Sequence, residues 1–138
     1  MDSIEQSIEV DAPVHFVYTE WAHFENFPQF MQGVEKVTQL DDTRLHWVVR
    51  VGDKNHEWDA EIFDQVPDKR IAWRSTSGRQ SQGAVYFDKT AANRTRVRAI
   101  ISYIPERAQE TPSEDKVGMA SAQVRSDLQR FKQFIEQR

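Results

Sequence analysis

Thr111-Pro112-Ser113-Glu114-Asp115-Lys116-Val117-Gly118-Met119-Ala120-Ser121-Ala122-Gln123-Val124-Arg125-Ser126-Asp127-Leu128-Gln129-Arg130-Phe131-Lys132-Gln133-Phe134-Ile135 is the stretch whose reading decides the fold. Its opening residues form a capping box, with Thr111 as N-cap, Pro112 at the first helical position and Glu114 three residues after the cap. Beyond the cap, Val117, Ala120, Ser121, Val124, Leu128, Phe131 and Ile135 recur on one stripe about 100° wide. Arg125, Gln129, Arg130 and Gln133 face elsewhere. The spacing predicts a long C-terminal helix with one buried face, and a helix of that kind needs a second layer to cover it.

The preceding chain supplies that layer. Between Val34 and Tyr103 the apolar period is two: Leu45, Trp47, Val49 and Val51; Trp58, Ala60 and Ile62; Ile71 and Trp73; Val85 and Phe87; Val97, Ala99, Ile101 and Tyr103. The connectors are short and turn-like, at Asp41-Asp42, Gly52 to Asn55, Pro67-Asp68, Gly78 to Gly83 and Ala92-Asn93. Sequential hairpins of this kind make an antiparallel meander. Upstream, residues 3–10 read as a first strand with Ile4, Gln6, Ile8 and Val10 on one face. Pro13 starts a short helix whose Val14, Val17, Tyr18 and Trp21 share one face. The aromatic run Phe24 to Met31, broken by Pro28, predicts a second short helix or turn. The expected fold is α+β: a curved antiparallel sheet of six or seven strands, with two short helices after strand 1, wrapped around the long C-terminal helix as one domain over residues 1–138.

Composition narrows the function classes. A 38% hydrophobic share with 11% aromatics, including four Trp and eight Phe, builds an aromatic-rich core. A net charge of −4 with dispersed Lys and Arg offers no basic stripe for a phosphate backbone, so nucleic acid is not an expected partner. The absence of Cys removes disulfides and thiolate metal sites. His15, His23, His46 and His56 are too scattered for a zinc site, and neither metal nor cofactor is expected. No segment reaches the roughly 18 apolar residues of a membrane span, and the acidic N-terminus lacks a signal-like run, so a cytoplasmic location is the expectation.

The helix stripe is uneven. Gly118, Ala120, Ser121 and Ala122 are small, whereas Leu128, Phe131, Phe134 and Ile135 are large. Large residues fill the space under a curved sheet and small ones leave it, which predicts a packed end and a pocket end.

Val10-Asp11-Ala12-Pro13 running into a helix, the run Trp21 to Glu35, Trp58-Asp59-Ala60-Glu61-Ile62, Pro67 to Ser75 and Asp127 to Lys132 together resemble the START-like (SRPBCC) superfamily, in its polyketide cyclase/dehydrase branch. The resemblance covers essentially the whole chain. It implies a helix-grip fold with an internal cavity for lipids, quinones or polyketide-like compounds, and it implies no reaction, because binders, carriers, cyclases and partner-binding modules share the scaffold.

The site must then be argued from residues. The expected ligand contacts are Phe27, Phe30, Trp47, Trp58, Trp73, Phe87, Tyr103, Ala120 and Val124. An aldol-type cyclase needs a general base and an oxyanion donor converging in the cavity. The inward polar positions by parity are Gln6, His56, Ser75 and Tyr103; of these Tyr103 and His56 are the proton-transfer candidates, His56 lying beside a hairpin where a solvated role is the ordinary one. Arg44, Arg50, Arg74, Arg94, Arg96 and Arg98 fall on the outward parity, opposite Asp59 and Glu61, as cross-strand pairs on a wet face. The polar stretch Glu106 to Thr111 is a candidate gate. The leading expectation is a monomeric or weakly dimeric binder or carrier of a hydrophobic small molecule. A cyclase/dehydratase-type enzyme and a protein-partner-binding module are the alternatives.

Overall fold

Pro13, with φ −63°, stands where strand β1 (Asp2–Val10) gives way to helix α1 (Val14–Trp21), and its carbonyl accepts the first helical hydrogen bond from Val17 N–H at 3.1 Å. The computed structural model describes residues 2–31, 34–51, 54–76, 81–103 and 114–137, and side chains within them except at 2, 3, 51, 54, 81, 102, 103, 114–121 and 123. The Thr111–Pro112 start of the capping box and the Glu106 to Thr111 stretch lie outside the described residues. After α1 a 3-10 helix covers Phe24–Gln29 with Pro28 inside it, as the aromatic run with its proline requires.

Six further strands follow: β2 (Val34–Gln39), β3 (Arg44–Val51), β4 (Lys54–Val66), β5 (Arg70–Ser75), β6 (Ser81–Ala91) and β7 (Arg94–Tyr103). They form one antiparallel sheet in the order β1-β7-β6-β5-β4-β3-β2, with α2 (Glu114–Glu136) after it. This is the α+β helix-grip architecture, a curled sheet and one long helix. Turn chemistry sets the hairpins. Asp41 Oδ1 accepts the backbone N–H groups of Thr43 at 2.9 Å and Arg44 at 2.8 Å, closing the β2–β3 turn. These bonds and the Arg44 guanidinium hold its carboxyl down to about 2. Asp68 takes φ 64°, a left-handed conformation that Asp tolerates in a tight turn. Gly83 is not in a connector, as the glycine pair had implied; it lies inside β6, opposite Trp73 of β5.

The packed end is built as the large residues of the helix require. Phe131 and Ile135 are fully buried, and Phe131 meets Trp21 at 4.9 Å and Phe30 at 5.0 Å between ring centroids. The backbone N–H of Asp11 donates to Glu136 at 2.9 Å, tying the end of α2 to the end of β1. Thr95, buried, donates its hydroxyl to the Ala12 carbonyl at 2.9 Å. Of the small residues expected to face the sheet, Ala122 is exposed, and the side chains of 118, 120 and 121 lie outside the described set.

A bulge between Ile62 and Asp64 shifts the β4–β5 register; Ile62 lies inside with Ala60, and Phe63 is on the outer face, 51% exposed. The outer face is charged as expected: Arg74 pairs with Glu61, and Arg96 with Glu9, each at 3.3 Å. Two partners differ from the expectation. Arg44 closes on Asp41 of its own turn, and Asp59 instead receives His46 Nδ1 at 2.7 Å.

Candidate functional site

Among the described residues, the curled sheet and α2 border two adjoining cavities that share Trp21, Met31, Trp47 and Trp73 in their walls, and α2 meets them at Val124, Asp127 and Leu128. The smaller, about 30 Å³, is bounded further by Phe24, Phe27, Leu45, Ile62 and Ile71. The larger, about 200 Å³, is bounded further by Trp58, Val85, Ala99, Ile101, Val124, Asp127 and Leu128. A dry cavity of about 150 Å³ is enough to take up benzene, so the larger one accommodates a somewhat bigger aromatic body.

The walls follow from strand alternation. Trp47 of β3 and Trp58 of β4 are register partners, and their indoles stack with an interplanar angle of 5° at 6.1 Å. Phe27, from the 3-10 helix, leans on Trp47 at 5.4 Å. Trp73 lies across β6 where Gly83 passes beneath it: a Cβ at Gly83 would stand 2.6 Å from Trp73 Cζ2 and 3.0 Å from Cε2 and Cη2. The glycine therefore sets the pose of one wall. From the first short helix comes Trp21, 4% exposed, so all four tryptophans of the chain border one cavity.

Among the described residues, the Trp47 indole N–H and the Asp127 carboxylate bring polarity to this surface. The Trp47 indole N–H is buried and has no acceptor among the described residues, an arrangement that costs about 1–3 kcal/mol when left unanswered. Asp127 of α2 brings a carboxylate into the wall, its side chain 19% exposed and held by Arg130 Nη1 at 3.3 Å. Among the described residues no group of three or more His, Asp or Glu is arranged to hold a metal ion. No described helix is long and apolar enough to cross a membrane.

Of the expected contacts, Trp47, Trp58, Trp73 and Val124 come together on the larger cavity, and Phe27 on the smaller. Phe30 and Phe87 border neither: Phe30 packs among Trp21, Phe131 and Phe134, and Phe87 against Tyr18 and Trp21. The Ala120 side chain lies outside the described set, as does that of Tyr103, whose backbone pairs with Asp2 and Ser81. His56 is exposed on β4 opposite Val49 and borders neither cavity, as the hairpin position implied. Gln6 and Ser75 are half-buried.

Asp127 escaped the sequence reading. It stands three residues after Val124, at the margin of the apolar stripe, and the signal for it was that spacing. His46 was also passed over: on the outer face its Nδ1 meets Asp59 at 2.7 Å and its Nε2 meets Glu57 at 2.9 Å. Those two carboxylates, Asp59 foremost, raise its pKa above the ordinary 6.5.

A curled seven-stranded sheet closed on one long helix around an aromatic cavity defines a helix-grip, ligand-binding domain. The chain belongs to the polyketide cyclase/dehydrase and lipid transport family, whose pattern it matches over residues 10–135. It is 44% identical, over all of this chain and 92% of the relative, to an uncharacterized 17.2 kDa protein from the melC2-rnhH intergenic region of Streptomyces lincolnensis. Among solved structures it is similar to DR_A0006 of Deinococcus radiodurans, at 28% identity and TM-score 0.75, covering 96% of this chain and 95% of that one. The Zhui aromatase/cyclase of Streptomyces sp. R1128 has the same fold, at 18% identity and TM-score 0.83, over 99% of this chain and 94% of that one. A START superfamily protein of Mycobacterium smegmatis matches with TM-score 0.83 at 12% identity, over 98% and 97% of the two chains.

Proposed function

We propose that this protein binds a flat hydrophobic small molecule in the cavity between the sheet and α2, as a binder or carrier that need not transform it. The observation carrying this reading is the convergence of all four tryptophans on one cavity of about 200 Å³. Large rings that only filled a core would leave no such space between them. Trp47, Trp58, Trp73 and Val124 supply the apolar contact, with Phe27 behind them. If about 200 Å² of ligand surface is buried there, transfer contributes about 5 kcal/mol, which supports micromolar affinity once ordering costs are subtracted. Among the described residues, the Trp47 N–H is a polar group placed to fix orientation, with the Arg130-paired Asp127 carboxylate in the same wall.

A cyclase or dehydratase activity is the second reading, and Asp127 in the wall is the observation that favours it, since a proton-transfer group must reach the substrate. Among the described residues that border the cavity, Asp127 is the one carboxylate, and this makes the enzyme reading the weaker of the two. Native mass spectrometry of the protein purified without denaturation tests the first reading. A co-purifying species of small-molecule mass, lost in Trp58→Ala, is the expected result. An empty protein that takes up no added aromatic compound contradicts it.

A further inference from the structure

We infer that the ligand has two parts, a flat ring body seated in the larger cavity and a short alkyl arm of one or two carbons that fills the smaller. The inference rests on the binding reading above and adds the chemical class, an alkyl-substituted aromatic. The two cavities adjoin, since Trp21, Met31, Trp47 and Trp73 stand in the walls of both. The five residues that bound the smaller one alone, Phe24, Phe27, Leu45, Ile62 and Ile71, are each at most 4% exposed. It is therefore a recess in the core, which a ligand reaches from the larger cavity.

Size and chemistry set what the recess takes. One water needs about 10–15 Å³ of such space, so about 30 Å³ admits a group of roughly two water-sized atoms and no ring. Among the described residues no side chain on its wall carries a charge or a hydroxyl. Trp47 brings one buried N–H donor, where a buried water needs about two to four polar partners, so the recess favours hydrocarbon over water. Each carbon that enters leaves water and gives the lining atoms contacts they lack, and should tighten binding about fourfold. Further carbons meet closed walls, and the gain stops. Of the four side chains between the cavities, Met31 is the flexible one and can shift to let the arm pass. The tryptophans are held: Trp21 against Phe131 at 4.9 Å, Trp47 stacked on Trp58, and Trp73 over Gly83.

Equilibrium dialysis of the full chain against naphthalene and its methyl, ethyl, propyl and butyl derivatives tests this, the tighter of the 1- and 2-isomers being taken at each length. None of these compounds carries a polar group, so neither Asp127 nor the Trp47 N–H enters the comparison. For the unaltered protein, affinity is expected to rise about fourfold from naphthalene to the methyl compound and about fourfold again to the ethyl, then to level or fall at propyl and butyl. Leu45→Phe puts a larger side chain on the smaller cavity alone, and the ethyl compound should then bind within about twofold of naphthalene. If that variant does not fold, Ile71→Val carries the test: it removes one methyl group from the same wall, and the propyl compound should gain about fourfold relative to naphthalene. Affinity that climbs evenly through butyl, no gain on methylation, an ethyl gain that survives Leu45→Phe, or an unchanged propyl preference in Ile71→Val overturns the inference and leaves the binding reading standing. Failure of every compound to bind overturns both.

Discussion

Replacing Gly83 by Ala should close part of the cavity through Trp73 without touching any residue of the packed end. The added methyl carbon would stand 2.6 Å from Cζ2 and 3.0 Å from Cε2 and Cη2 of the indole. Carbon atoms rest at about 3.5–4.0 Å, so the ring must withdraw by roughly 1 Å. Strand β6 lies on one side of it and the cavity on the other, so the withdrawal is into the cavity. Overfilling of this kind costs about 1–3 kcal/mol, and a ligand that occupies the whole space meets that cost as a loss of affinity of about 5- to 150-fold. A single-ring ligand, which leaves space unfilled, should lose less. Folding stability should change little, because Ala restricts the unfolded chain by about 0.4–1 kcal/mol relative to Gly and so offsets part of the strain. Parallel titrations with 2-naphthol and phenol, following tryptophan emission, measure the contrast, with thermal melting as the control for folding. Undiminished 2-naphthol affinity in a folded Gly83→Ala protein would refute the assignment of Trp73 to the binding wall.

Three further outcomes are expected. Phe131→Ala removes a fully buried ring packed on Trp21 and Phe30, and urea denaturation should register a loss of about 3–5 kcal/mol; a loss under about 1 kcal/mol would mean that the packed end is not where α2 is anchored. Thr95→Val leaves the Ala12 carbonyl without its buried donor and should cost about 1–3 kcal/mol by the same assay, with no effect on ligand affinity. His46 is protonated more readily in the folded protein than in the unfolded chain, so its contribution is fully present below about pH 6.5 and disappears as pH rises through the raised folded value. Melting temperatures of wild type and His46→Gln should therefore converge at alkaline pH and separate at acid pH; a constant offset would contradict the pairing with Asp59 and Glu57.

The strand alternation, the Pro13 helix start and the stripe of α2 were legible because each is a periodic signal, repeated over several residues, that no single contact can overturn. Trp47, Trp58 and Trp73 follow directly from that parity. Phe87 shares that parity, and Phe30, at the end of the 3-10 helix, shares only the chemistry; both pack among Trp21, Tyr18 and Phe131, because which rings fill space and which border it depends on how the two short helices close over the sheet. Gly83 was hidden for a related reason: a glycine at a strand start and one in a loop look alike until the facing residue is known. Asp127 sits at the rim of an apolar stripe, where the helix rotation of a few tens of degrees that pattern alone leaves open decides between wall and solvent. Phe63 is outside as alternation from Ile62 requires, while the bulge that follows shifts the pairing of Asp64 to Val66, which alternation cannot register.

The central claim is that one cavity receives the ligand, and the protein carries its own reporters, since each of its four tryptophans borders that cavity. A proton–nitrogen correlation spectrum displays one cross-peak for each indole N–H, those of Trp21, Trp47, Trp58 and Trp73. Titration with 2-naphthol should move all four along a common saturating curve, with Trp47 shifting furthest if its unpaired N–H gains an acceptor. Four indole peaks that stay in place while 2-naphthol saturates the protein elsewhere, or shifts that rise linearly without saturation, would contradict the account.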